Sequence, residues 1–180
     1  MKDIIQSMCP NSLEEVMGFH SDTVVLRFQE IYAVDYEASL EIFNEVKKWL
    51  WLSAQRNYEE DVLNLDPPVL SMFSAMAVLD EMWHNFIICS VDYTRFCDTH
   101  FGQYLHHQVV PRAGHAKIYH DAGKDYDVPQ FDNAQLRAMM MYVYRKLGED
   151  TYHRWFETYP EIYTLDKLRA LSRHLTSENP

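Results

Sequence analysis

The stretch that most constrains this chain runs from Val69 to His107, VLSMFSAMAVLDEMWHNFIICSVDYTRFCDTHFGQYLHH. Between Val69 and Val91 the only ionisable side chains besides the Cys89 thiol are Asp80, Glu81 and His84. A helix that is apolar on most sides lies inside a protein, so these three groups are expected in or beside the core. Uncompensated charge is costly to bury. The cluster therefore calls for partners: each other, a metal, or a ligand.

The rest of the chain reads as helix. Ser12-Leu-Glu-Glu15 has the capping-box pattern of a helix start. Val24, Phe28, Ile31 and Tyr32 recur at helical spacing. Asp35 is placed to cap a helix with the stripe Leu40, Phe43, Val46 and Leu50, beside which Glu41, Glu45, Lys47 and Lys48 read as solvated. Residues 56–68 read as a linker ending at Pro67-Pro68, with the central helix starting just after it. Ser90 is a candidate cap for the next helix and Gly102 a stop. Residues 103–131 have weak periodicity and read as a long ordered loop, a kind of segment that is often functional. The Asp132 start, the stripe Leu136, Met139, Met140, Val143 and Leu147, a short helix before Pro160 and a last one through Leu175 complete the chain.

There is no strand-like alternation and no repeat. At 180 residues the expectation is one all-α domain over 1–180, an irregular, orthogonal bundle of about six or seven helices. The core motif region is 69–107, and the C-terminal helices span 132–175.

A net charge of -11 argues against a phosphate-backbone binder and an anionic membrane partner, so DNA is excluded and RNA disfavoured. No uninterrupted apolar run reaches the roughly 18 residues of a membrane span. Three cysteines are no disulfide framework, and MKDIIQSMCPNSLEE lacks an apolar signal core, so a cytoplasmic address is expected.

Leu79-Asp80-x-x-Trp83-His84, then Tyr93-x-x-Phe96-Cys97, Phe101-Gly102 and Leu105-His106-His107 resemble the pattern of the glycine-rich-domain protein family. The similarity extends to Lys48-Trp49-Leu50-Trp51-Leu52, Gly148-Glu149 and Trp155. It implies a helical domain without an assigned activity, with stress-related plant members and RNA binding suggested for some. This chain departs from that pattern in having five glycines and no glycine-rich tail, and in carrying Phe86 where many relatives have a second histidine.

Asp80 and His84 are four residues apart and Glu81 and His84 three apart, spacings that put a carboxylate and an imidazole on one helix face. Six of the nine histidines fall between residues 84 and 120. A mononuclear site follows, with His84, Asp80 and either His106 or His107 holding a divalent metal, iron or zinc. Glu81 and Asp80 are the acid–base candidates, and His115 and His120 are reserves. Asp150-Thr-Tyr-His153 with Glu149 is the only near-copy from which a dinuclear site could be built. Two readings stay open at this point. One is a pocket that binds a metal or small polar ligand, with metal-dependent catalysis as an extension. The other is a protein–protein interaction module in which Asp80, Trp83 and His84 only lock helices together.

Overall fold

A computed structural model of the chain describes residues 9–107 and 133–173. All regular elements among them are helical. They are α1 (Leu13–Met17), α2 (Asp22–Tyr32), α3 (Tyr36–Asp61), α4 (Ala77–Ile88), α5 (Ser90–Phe101), α6 (Asn133–Leu147), α7 (Glu149–His153), α8 (Tyr159–Ile162) and α9 (Leu165–Arg173). A single 3₁₀ turn, Ser74–Met76, leads into α4, and a π turn, Arg154–Thr158, joins α7 to α8. No helix among the described residues is long and apolar enough to cross a membrane.

The caps at Ser12 and Asp35 and the stop at Gly102 form as expected. Ser12 and Glu15 close a reciprocal capping box. The Asp35 carboxylate accepts from the Ala38 amide at 2.7 Å, and Gly102 ends α5 in the left-handed region at φ 65°.

α3, about 39 Å long at 1.5 Å per residue, is the spine against which α1, α2 and α4 pack. Its apolar stripe is fully buried, from Ile42 and Phe43 through Val46 and Leu50. The aromatic centre of the core is Phe86 on α4. Its ring meets Phe43 and Tyr93 at 5.0 Å and Phe96 at 5.3 Å, the first two edge-to-face. A histidine at this position would point into that core.

Four local expectations need correction. The segment from Arg56 is no linker, because α3 continues to Asp61. Arg56 pairs with Glu60 one turn on. The buried Glu59 accepts from Tyr142 Oη at 2.9 Å and pairs with Lys146, both on α6. Burial alone would raise the Glu59 pKa, but the bonds from Lys146, Gln55 and Tyr142 outweigh it and hold the carboxyl below its ordinary value.

The central helix starts at Ala77 rather than after Pro68. Residues 69–73 stay out of helix because tertiary partners hold them. The Ser71 amide meets Met139 Sδ at 3.4 Å, and Phe73 stacks on Phe156 with planes 2° apart.

Ser90 makes no capping bond. It is the first residue of α5, which follows α4 after a single break at Cys89.

Finally, helix runs through Pro160 instead of ending before it. The preceding π turn bonds the Tyr159 amide back to the Arg154 carbonyl, and Pro160 falls in the first turn of α8, where its missing N–H is tolerated. The loop expected over 103–131 lies outside the described residues from 108 on.

Two charges that read as solvated are buried. Glu45 is 1% exposed and accepts from Lys48 Nζ and Trp155 Nε1, each at 2.8 Å, and from Arg154 Nη1 at 3.2 Å. It thereby ties α3 to the C-terminal helices. Lys47 is fully buried and donates to the Met17 and Phe19 carbonyls at 2.8 and 2.7 Å, closing the end of α1. Burial pushes its pKa down from 10.5 to about 8.

Removing Glu45 strips the Trp155 indole of its acceptor and takes the buried carboxylate from two cations, leaving Lys48 with Thr151 and Arg154 with Glu41. Glu45→Ala is expected to cost about 3 kcal/mol in urea denaturation, and Glu41→Ala, on the half-exposed side of the same network, under about 1 kcal/mol.

Lys47 gives a signed pH test. Between its folded pKa of about 8 and its unfolded 10.5, the unfolded chain binds more protons. Stability from this group therefore rises with pH across that window and is lost as pH falls through 8. The wild-type stability relative to Lys47→Met is expected to grow by about 1–3 kcal/mol from pH about 7.5 to about 10. A flat difference would contradict the assignment.

Candidate metal centre

α4 turns Leu79, Met82, Trp83 and Phe86 into the core. That rotation puts Asp80, Glu81 and His84 at its edge. They are half-buried rather than enclosed, with the Asp80 and His84 side chains 35% and 42% exposed. The expectation of a buried pocket is corrected accordingly: the groups sit at a rim, because α4 has one polar edge that the bundle leaves open.

The third member arrives from the turn after Gly102. His107 Nε2 is hydrogen-bonded to Asp80 Oδ1 at 2.9 Å, and His84 Nδ1 lies 4.0 Å from Asp80 Oδ2. The imidazoles face each other with centroids 4.5 Å apart, and His107 also packs on the Trp83 ring at 4.3 Å. One ligand atom from each of Asp80, His84 and His107 falls within 4.8 Å of the others, a grouping found once among the described residues. His107 Nδ1 is buried without a hydrogen-bond partner among those residues.

Ligands about 2.1 Å from a tetrahedral ion lie about 3.4 Å from one another. Two of the trio's separations, 2.9 and 4.0 Å, straddle that value, and all three lie within 4.8 Å.

Adjacent residues in the turn point apart. His106 is exposed and rests on the Tyr104 ring at 4.9 Å, outside the trio. Glu81 does not join either. Its Oε2 accepts from Tyr32 Oη at 2.6 Å, and burial together with this carboxylate raises the Tyr32 pKa, so the phenol keeps its proton.

Cys97, His100, the α6 methionines and His153 resolve as packing or surface pairs. Cys97 is buried, and burial raises its thiol pKa, the opposite of an activated nucleophile. His100 packs on Phe96 and Phe19, with its pKa lowered by burial. Met139 is buried and Met141 half-exposed, so Met139-Met140-Met141 fans around α6 as packing. His153 pairs with Glu157 at 2.8 Å and Glu149 at 3.5 Å on an exposed face and belongs to no metal-ready group. His115 and His120 lie outside the described residues.

Sequence reading left Trp83 as an indole donor without a named partner and missed the phenol that holds the turn before His107. Trp83 Nε1 donates to Tyr93 Oη at 3.0 Å, and Tyr93 Oη donates to the Leu105 carbonyl at 2.6 Å. The flanking Asp92, Thr94 and Arg95 give no sign that Tyr93 is a buried anchor within α5.

In metal-free protein the Asp80–His107 bond is the only short contact inside the trio. Asp80→Asn is expected to cost about 1 kcal/mol or less, because the carboxylate is a third exposed, and His84→Ala under about 0.5 kcal/mol. Urea denaturation in chelator reads both.

Residues 20–117, just over half of the chain, match the model of the UCP032817-like family. The matched segment contains Asp80, Glu81, His84 and His107. No curated protein and no solved structure matches the chain. The resemblance to the glycine-rich-domain family is thereby corrected. Its motif is made largely of core positions, Leu79, Trp83, Tyr93, Phe96, Cys97, Phe101 and Leu105, which many helical bundles fill with such residues.

Proposed function

We propose, for a chain that belongs to the UCP032817-like family, that it binds a divalent metal ion through Asp80, His84 and His107. The observation that carries this reading is the convergence of a carboxylate and two imidazoles, from positions 80, 84 and 107, within 4.8 Å. Two nitrogens and one oxygen suit zinc or ferrous iron better than magnesium or calcium. Three protein ligands at a half-exposed rim leave coordination positions for water or a small polar ligand, as in catalytic rather than structural centres. In metal-dependent chemistry Glu81 is the acid–base candidate, with Oε1 as the acceptor, since Tyr32 engages Oε2.

A second reading rests on a different observation. The Asp80–His107 bond and the chain of bonds from Trp83 through Tyr93 to Leu105 join α4, α5 and the following turn with no ion involved. On that reading the cluster is an interlock in a module that contacts a protein partner.

Elemental analysis of protein purified without a metal-affinity tag separates the two. Metal binding predicts about one equivalent of zinc or iron in wild type, lost in His84→Ala. Sub-stoichiometric metal in both supports the interlock. In thermal melting, free metal at about 100 times Kd is expected to add about 2.7 kcal/mol over the chelated protein, roughly 5–10 °C at this chain length.

A further inference from the structure

We infer that Tyr93 is a positioning residue for this site, setting its cation affinity through the backbone of the turn that carries His107. The inference rests on the metal-binding reading. Asp80 and His84 share one turn of a packed helix, so their relative placement is rigid. His107 comes from a turn with no helical bonds of its own, and its placement depends on what fixes that turn.

Tyr93 supplies the fixing. Its side chain is fully buried, with the ring edge-on to Phe86 and to Tyr104, each at 5.0 Å. Its hydroxyl uses both capacities, accepting from Trp83 Nε1 and donating to the Leu105 carbonyl. Leu105 is itself buried two residues before His107. The Trp83 ring then packs directly on the His107 imidazole. The circuit closes on itself: indole to phenol, phenol to backbone, backbone to imidazole, imidazole to indole. Groups that orient a metal ligand without touching the metal typically change affinity about 10–100-fold when removed.

Tyr93→Phe deletes one oxygen and keeps the ring. The probe is Co²⁺, titrated into metal-free full-length protein and followed by its visible absorption. The control is Tyr142→Phe, which deletes a phenolic bond of similar length to Glu59, between α6 and α3, away from the circuit. Tyr93→Phe is expected to weaken Co²⁺ binding about tenfold or more and to alter the absorption band, while Tyr142→Phe binds as wild type. A merely structural role would lower the melting temperature of both variants and move neither Kd nor band.

Affinity for Tyr93→Phe within about twofold of wild type overturns the inference and leaves the metal reading intact. Wild type that takes up no Co²⁺ overturns the metal reading and this inference with it. Should Tyr93→Phe not fold, Tyr104→Ala decides. It removes the partly exposed ring that backs Tyr93 from the outer side of the turn. Loss of Co²⁺ affinity in Tyr104→Ala supports the inference, and unchanged affinity overturns it.

Discussion

The rotation of α4 about its own axis governs the rest of this structure. Phe86 sits among Phe43, Tyr93 and Phe96, and Leu79, Met82 and Trp83 fill the same side. With that face committed, Asp80 and His84 have one place to be, the edge where the helix leaves the core. Turning α4 enough to bury them would extract Phe86 from its aromatic contacts, at a cost on the order of 3–5 kcal/mol by the scale of Phe truncations. Polar bonds lock the same rotation. Asn85 donates to the Val24 carbonyl at 2.9 Å and accepts from Arg27, fastening α4 to α2.

The candidate site therefore combines two kinds of order. The Asp80–His84 half is local, set by helix periodicity and the packing of one face. The His107 half is imposed from outside, by a left-handed stop at Gly102, a buried Leu105 and a phenol that donates to the Leu105 carbonyl. Two members of the trio, Asp80 and His84, thus sit 4.0 Å apart on a packed helix, and the third, His107, sits on a tethered turn.

Charge burial on α3 follows the same logic. Glu45 and Lys47 carry the residue types of a solvated helix face, yet both are enclosed. Lys47 is enclosed because α1 ends over it and offers two carbonyls, and Glu45 because Trp155, Arg154 and Lys48 converge on it. Neither set of partners lies near in sequence, apart from Lys48. Periodicity describes one helix at a time, so it assigned these residues to solvent.

The sequence by itself determined the helical class, because spacing at three and four residues, capping boxes and glycine stops are local properties of the chain. It also determined that Asp80, Glu81 and His84 share one stretch of an apolar helix, and that Gly102 ends the helix before the histidine pair. The tertiary structure alone decided which histidine meets Asp80, since the choice between His106 and His107 depends on the path of a turn pinned by Tyr93. It also drew Glu81 to Tyr32, placed the trio at a rim instead of a buried pocket, and enclosed Glu45 and Lys47. These outcomes hinge on contacts between residues 12 to 110 positions apart, and a pattern read within one helical window carries no information about them.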